Sequence, residues 1–359
     1  MARRIKTVFS LTSWTFLLSI LVLGLGIFLS PWLPLSFVPW LQVLSPLLVG
    51  LSVLYTIGLI ISLFQARWFW AGLCALFLGL SCLVISQNIR SDQPALVETP
   101  EQLKVLSYNL GAFRLTSQKV GKVIKLIQEL DPDIIAFQEF RNVQVGESKE
   151  AISYFSDQLD LPYYHFLHLH SHIHGIAVFS RYPILANDTL YLPEEEVNSG
   201  MMTTIQTPQG PINIANLHMS SFQFVTVMRS ADGRLNKTKA FFRQIKRVLW
   251  RQEAKFDKVF AAIDASPYPV ILAGDFNAPS HSRLSRMYRG RLSDAFLTKG
   301  VGGGWTFPMK RRGGNWGMRL DYLYYSPEVE ALRCERFPRA ISDHFPLLGT
   351  FRLKAEPSP

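Results

Sequence analysis

The chain has 359 residues, 48% of them hydrophobic, and 37 Lys+Arg against 27 Asp+Glu give a formal net charge of +10. That length allows one large domain with an appendage, or two domains. Its three cysteines (Cys74 and Cys82 in an apolar run, Cys334 alone) exclude a disulfide framework and a cysteine-type zinc spacing.

Residues 1–90 contain no Asp or Glu and only Arg3, Arg4, Lys6, Arg67 and Arg90 as cations. Three apolar segments fill them: about Val8 to Leu29, Leu41 to Phe64 and Trp68 to Ser86. Each approaches the roughly 20 residues a helix needs to cross a bilayer. A cleaved signal peptide would not be followed by two further such segments, and soluble core helices seldom run so long without a charge. The expectation is a three-span membrane region over 1–90, contacting the lipid bilayer through residues 8–86. Arg3, Arg4, Lys6 and Arg67 favour a cytoplasmic N-terminus, so three crossings place the rest of the chain outside the cytoplasm. A two-span reading would reverse that. The spans hold no carboxylate or lysine of the kind a transport pathway uses.

Beyond residue 90 the remaining 32 Lys+Arg face 27 Asp+Glu. The net of +5 suits a phosphate-bearing partner without requiring one. Residues 91–102, with Pro94, Pro100 and three acids, read as a linker to a catalytic domain over 103–359. Strand formers at 103–109 lead to an amphipathic helix from about Ser117 to Leu130, capped by Ser117 or Thr116 and stopped at Asp131-Pro132-Asp133. Strands are predicted at 134–138, 163–169, 174–180, 201–206 and 211–217. A basic helix follows over about Lys237 to Phe260, then strands near 270–273, 320–325 and 347–352. Strands outnumber the helices interspersed among them, which points to an α+β domain of two packed sheets flanked by helices.

Several of these strands end on groups that carry chemistry. Asn109 ends the first, and Glu139 follows Ile134-Ile135-Ala136-Phe137-Gln138. His218 follows Ile212 to Leu217, Asp275 and Asn277 follow Val270 to Gly274, Asp321 follows Met318-Arg319-Leu320, and Asp343-His344 stand in a late turn. Glu139 and Asp343 suit a hard cation such as Mg²⁺, and Asn109 could add a neutral oxygen or orient a carboxylate. If strand alternation persists past Asp275, Asn277 points the same way, and the pair could activate and hold a water. His218 and His344 could stabilise charge developing on a phosphorane, with Asp321 orienting one imidazole. Taken singly, Asn109 reads equally as a turn former, Glu139 as a surface acid, Asp321 as a strand-edge residue and His218 as a half-buried histidine.

Together these runs resemble a known family. Tyr108-Asn109, Gln138-Glu139, Gly175 to Ile184, Asn216-Leu217-His218, Gly274-Asp275-Phe276-Asn277, Arg319-Leu320-Asp321-Tyr322 and Ser342-Asp343-His344-Phe345-Pro346 are similar to the motifs of the endonuclease/exonuclease/phosphatase superfamily, in order, over about residues 103–353. That family includes pancreatic-type deoxyribonuclease, abasic-site endonucleases, neutral sphingomyelinases and inositol polyphosphate 5-phosphatases. The resemblance implies a four-layer αββα sandwich, here preceded by three transmembrane helices. It also implies Mg²⁺ as cofactor, with Mn²⁺ a possible substitute, held by Glu139 with Asn109 and Asp343. Asp275 would position or deprotonate the nucleophilic water and Asn277 would hold the phosphate. His344, paired with Asp321, and His218 would stabilise the transition state or protonate the leaving oxygen. No residue among Glu195, Glu196 and Asn198 can be assigned as a glutamate-type partner of His218. The expected protein is a multi-pass membrane phosphoesterase acting on phosphodiester bonds of nucleic acid or of a phospholipid headgroup. A non-catalytic binding protein on the same fold is the alternative from another class, and it would be expected to have lost one of these groups. The inositol phosphatase branch is disfavoured because Ile271-Leu272-Ala273 and Gly317-Met318-Arg319 replace its Trp-containing and Cys-Asp-Arg runs. Nothing in the sequence specifies a protein partner.

Two features stay outside this scheme. His168, His170, His172 and His174 would face one way on an unbroken strand, as a metal stripe or as a polar edge. Gly300 to Trp316 mixes Gly, three cations and aromatics, which fits a nucleic-acid strand, a lipid headgroup or a solvated loop equally.

Overall fold

The computed structural model of the chain describes residues 2–37, 39–91, 96–97, 99–111, 117–145, 149–168, 173–191, 198–222, 234–309, 317–339 and 341–354. Thr116, His170, His172, Glu195, Glu196 and the 310–316 part of the Gly-rich loop lie outside them. The chain divides into two compact units, one of Met1–Asn88 with Pro279–Arg286 and one of Ile89–Ala278 with Met287–Pro359.

The first unit is built from α1 (Ala2–Leu29), α2 (Leu48–Phe64) and α3 (Trp68–Ser86). Three stretches, Trp14–Trp32, Ser45–Phe64 and Trp68–Ser86, are long and apolar enough to cross a membrane. The second starts later than the predicted Leu41: Pro39–Val43 and Ser45–Leu47 form short 3₁₀ turns, and regular helix begins only past Pro46. Proline lacks the N–H that a continuing helix would use, which explains the break. Tyr55, fully buried, donates its hydroxyl to Ile20 O at 3.1 Å, and Arg67 in the tight turn between α2 and α3 lies 4.6 Å over the Trp14 ring.

The second unit follows from alternation. In β2 (Leu103–Asn109), Leu103 and Val105 face one way while Leu106 and Tyr108 face the other, as a strand period of two requires. β3 (Ile134–Arg141) does the same with Ile134 and Ala136 against Ile135 and Phe137. Leu106, Tyr108, Ile135 and Phe137 pack under α4 (Ser117–Leu130) and α5 (Ala151–Leu159), through Val120, Val123, Ile127, Ile152 and Phe155. Leu103, Val105, Ile134 and Ala136 instead meet a second sheet.

Among the described residues the first sheet has eight strands, and its order includes β18 (Leu347–Leu353), β2, β3, β7 (His174–Ser180) and β6 (Tyr163–His168) in sequence. Its far edge is β1 (Ile89–Arg90), paired antiparallel to β13 (Gly300–Gly303), which runs beside β17 (Val329–Arg336). The second sheet orders β12 (Ser293–Asp294), β16 (Asp321–Tyr325), β11 (Val270–Asp275), β10 (Gly210–His218), β9 (Gly200–Thr207) and β8 (Ile184–Tyr191). The inner core joins Ile176 and Val178 of the first to Met201, Ile212, Ile214, Ile271, Ala273 and Leu323 of the second. On the second sheet's outer face Phe256 and Phe260 of α6 (Arg234–Ala265) pack on Tyr288, which stacks on Tyr324 at 5.5 Å. The layers are therefore helix, sheet, sheet, helix, as expected.

β17, α5 and β8 go beyond the elements expected from the sequence. The histidine run does not lie on one strand: His168 ends β6 and His174 opens β7, with His168 opposite Gly175. The unbroken stripe is thereby replaced by two neighbouring strands.

Candidate active site

Five strands change character at the same end. Their inward positions run Leu103, Val105, Ser107, Asn109 in β2; Ile134, Ala136, Gln138 in β3; and Ile212, Ile214, Asn216, His218 in β10. β11 gives Ile271, Ala273, Asp275, and β16, running the other way, gives Tyr325, Leu323, Asp321. Register aligns the ends: Asn109 sits opposite Gln138, His218 opposite Asp275, and Asp275 opposite Asp321. The space between the sheets is thus oily along most of its length and polar at one mouth.

Hydrogen bonds cross that mouth from sheet to sheet. Gln138 Nε2 donates to Asn216 Oδ1 at 2.8 Å, and Asn216 Nδ2 donates to the Phe137 and Ala177 carbonyls at 3.0 Å each. Nearer the opening, Asn109 Nδ2 donates to Asp275 Oδ2 at 2.9 Å and to Glu139 Oε1 at 3.4 Å, while its Oδ1 accepts from Gly111 N at 2.8 Å. In this orientation the Asn109 amide holds two carboxylates in place.

Glu139 reaches this group against the strand pattern. Strict alternation would turn it away from Gln138, toward the outer helix layer. Pairing of β3 with β7 slips between Phe137 and Phe140, and Glu139 takes a left-handed conformation at φ 52°. Such a bulge re-aims a side chain at some backbone cost, and both are common beside active sites. Glu139 Oε1 ends 3.6 Å from His218 Nε2.

Asp275 is the hub. Its Oδ2 lies 3.9 Å from His218 Nε2 and 3.7 Å from His344 Nε2, and it is buried to 1% exposure. Burial pushes its carboxyl up to about 6, against the opposing pull of His344. His344 Nδ1 lies 2.8 Å from Asp321 Oδ2. Burial alone would lower that imidazole, but the Asp321 and Asp275 carboxylates outweigh it and push His344 up to about 10. His218 moves the other way, lowered by burial, and its Nδ1 has no hydrogen-bond partner among the described residues. The two imidazoles therefore differ in charge at neutral pH, His344 cationic and His218 neutral.

Asn277 arrives beside Asp275 by a turn rather than by continued alternation. It adopts φ 49°, its backbone N–H donates to Asp275 Oδ1 at 2.8 Å, and its amide donates to Met219 O at 3.0 Å and Asp275 Oδ2 at 3.2 Å. The preceding Gly274 is required by closeness: a Cβ there would fall 1.9 Å from Leu217 O on β10. Asp343 stands apart from the buried group, exposed at the rim. Its Oδ1 would meet a Cβ on Gly111 at 2.1 Å, and Gly111 itself has φ 69°. Ser342 Oγ donates to Asn109 O at 2.8 Å and accepts from His344 N at 3.1 Å, which ties the Ser342-Asp343-His344 turn to the end of β2.

A hard dication fits the chemistry of this mouth. Asp275, Asp321 and Glu139 bring carboxylate oxygens together, and burial already resists ionisation of Asp275. Asp275, Asp321 and His344 offer atoms within 4.8 Å of one another, a candidate cation cluster. Within that cluster, however, His344 Nδ1 is engaged by Asp321, and an imidazolium has no lone pair to give a metal. Glu139, with the Asn109 amide 3.4 Å from its Oε1, is a further carboxylate lining the mouth.

Residues 106–344 match the model of the Endonuclease/Exonuclease/phosphatase family. The chain belongs to that family. Members hydrolyse phosphoester bonds, commonly with divalent metals. Solved structures agree on the fold. A functionally unknown conserved protein from Enterococcus faecalis V583 is 15% identical with a TM-score of 0.52, covering 70% of this chain and 100% of its own. The human Nocturnin catalytic domain with bound sulfate anion gives 16% and 0.52 over 71% and 94%, and humanized D. rerio TDP2 gives 13% and 0.51 over 70% and 99%. Comparison with curated protein sequences returns no match.

Some contributors carry little signal in the sequence. Gln138 and Asn216 stand there only as motif letters, although their inward parity already places them on the line to the site. Gln252 and Lys255 of α6 give no signal at all. Gln252, 1% exposed, donates through Nε2 to Ser220 O at 2.9 Å and approaches Phe276 O at 3.4 Å. Lys255 Nζ donates to Ser220 Oγ at 2.8 Å and lies 5.0 Å over the Tyr191 ring, so it faces the protein. Phe307, its ring 5.1 Å from that of His344, is an aromatic neighbour of the mouth.

Proposed function

We propose that the chain is a membrane-anchored, divalent-metal-dependent phosphodiesterase whose acid–base apparatus is Asp275, His344, Asp321 and His218. The observation that carries this reading is the unequal pair of imidazoles around one buried carboxylate. Asp275, with a carboxyl pushed up to about 6, is ionised near neutral pH and basic enough to take a proton from water. The water oxygen attacks phosphorus, its proton passes to Asp275 Oδ2, and the bond from phosphorus to the leaving oxygen breaks. His344, held cationic by Asp321, donates from Nε2 to the phosphoryl or leaving oxygen as negative charge grows there. His218, neutral, donates from Nε2 to the same charge. Asn277 and Asn109 fix Asp275, and Glu139, Asn109 and Asp343 are the residues proposed to hold Mg²⁺ or Mn²⁺. When bound, the cation supplies Lewis-acid neutralisation of phosphate charge.

Purified protein with Mg²⁺ or Mn²⁺, assayed against DNA, RNA, sphingomyelin, phosphoinositides and bis(p-nitrophenyl) phosphate, tests the reading. Metal-dependent release of product from at least one is expected. Inactivity on all, or full activity in excess EDTA, would overturn it.

A further inference from the structure

The long helix α6 changes electrical character part-way along. Residues 234–251 contain seven Lys and Arg and no acid, whereas residues 252–265 contain three acids and two lysines. The change falls at Gln252, and Gln252 is where the helix meets the mouth of the site through Ser220 O and Phe276 O. From Gln252 the helix runs to Ala265 and returns into the start of β11 at the opposite end of the sheets. Those 14 residues span about 20 Å at 1.5 Å per residue. The six residues of β11 span about the same at 3.3 Å per residue. The basic half, 18 residues or about 27 Å of helix, therefore continues beyond the mouth of the site.

Its exposed surface has two adjacent rows at a spacing of four. One is Lys239, Arg243 and Arg247; the other is Phe242, Lys246 and Trp250. Phe242 is 45% exposed and Trp250 51%. None of the four cations is paired with an acid among the described residues. A solvated helix has no use for two half-exposed large aromatics in such a row, but a helix lying in a headgroup layer does. Its cations meet lipid phosphates and its rings enter the acyl boundary.

We propose that the basic half of α6 docks on an anionic phospholipid surface and holds the mouth of the site against it. The inference rests on the membrane-anchored reading above. Lipid is favoured over a nucleic-acid strand because only Gln87 and Asn88 separate the third apolar helix from β1. A domain tethered that closely to a spanning helix meets headgroups at high effective concentration. The surface assigns the substrate class as well: a phosphodiester presented at the bilayer, within reach of a helix that already neutralises its neighbours.

The test uses the full chain in nanodiscs of zwitterionic lipid or of zwitterionic lipid mixed with phosphatidylglycerol. An environment-sensitive fluorophore is attached at Phe242→Cys in a chain carrying Cys82→Ser. A blue shift and protection from aqueous iodide in the anionic discs alone, reversed by high salt, are expected. Each Lys→Gln or Arg→Gln change among Lys239, Arg243, Lys246 and Arg247 should weaken the protected state about fivefold. Should the labelled chain fail to fold, hydrogen exchange of residues 234–251 on unmodified protein decides between the same outcomes, with slowing in anionic discs expected. Equal signals in both lipids overturn the proposal, as does a shift produced by oligothymidylate and not by phosphatidylglycerol. Hydrolysis of the five substrates named above is followed in parallel, so a chain that docks without hydrolysing any of them refutes the catalytic reading alone, one that hydrolyses without docking refutes this one alone, and one that docks yet hydrolyses only nucleic acid overturns the substrate class.

Discussion

At the scale of single residues the site is a charge arrangement, and its parts have separable effects. Asp275→Asn removes the proton acceptor while keeping the hydrogen-bonding shape, so kcat should fall on the order of 100-fold or more with the fold intact. If the variant unfolds instead, as circular dichroism would show, Asp275 is a structural group. Glu139→Gln keeps the bulged side chain and removes the charge a hard cation needs. It should abolish the metal dependence, and undiminished turnover at unchanged Mg²⁺ concentration would refute the ligand assignment. The pH profile carries a further expectation. In the proposed mechanism Asp275 acts unprotonated and His344 protonated, so kcat/KM should fall as pH drops through about 6 and again as it rises through about 10. Asp321 raises both the His344 and the Asp275 values, so Asp321→Asn should move the alkaline limb to lower pH and carry the acid limb down with it. An unmoved alkaline limb would dissociate His344 from the profile.

At the scale of strands, most of the site is legible in the sequence because a period of two is a strict rule. Leu103, Val105 and Asn109 share a parity, as do Ile271, Ala273 and Asp275, so the inward line to each of these polar groups can be counted along the chain. Two groups break the count. Glu139 is turned inward by a bulge, and nothing in Phe137-Gln138-Glu139-Phe140 announces an extra residue except two phenylalanines that both need the outer core. Asn277 is turned by a left-handed residue after Gly274, where alternation has already ended. Gln252 and Lys255 are illegible for another reason: their partners lie on loops far away in sequence, and a helix period tells only which face is covered. The inter-sheet bonds allow a stability test. Asn216→Leu would take from the buried Gln138 amide one of its acceptors, leaving it the Ala136 carbonyl at 3.0 Å, and would deprive the Phe137 and Ala177 carbonyls of the Asn216 donor, at a cost of about 1–3 kcal/mol. A denaturant midpoint equal to that of the parent protein would show that these bonds contribute nothing.

At the scale of the whole molecule, the three apolar helices and the two-sheet unit are separable on the sequence by charge alone, since residues 1–90 hold no acid. The side of the membrane is a proposal from the cations Arg3, Arg4, Lys6 and Arg67. An odd number of crossings from a cytoplasmic N-terminus sends the C-terminus outward. Alkaline phosphatase fused at Pro359 should then be active and green fluorescent protein dark. The opposite pattern would return cytoplasmic nucleic acid and inner-leaflet lipid to the range of substrates.

The pairing of β1 with β13 bears on how this protein is to be cut. The sequence pattern starts the domain at Leu103, with 91–102 as spacer. Yet Ile89 and Arg90 pair with Gly303 and Gly302, and Arg90 Nε donates to Leu297 O at 3.2 Å. These two residues occupy the last hydrogen-bonding row of the eight-stranded sheet. A soluble fragment begun at Leu103 would bare the backbone of β13, and an unpaired row of that kind recruits strands from other chains. One begun at Gln87 keeps its own cover. Size-exclusion chromatography should find the longer fragment monodisperse and the shorter one in aggregates, and equal behaviour of the two would make the row dispensable. On this reading the residues that follow the third apolar helix double as a guard against self-association.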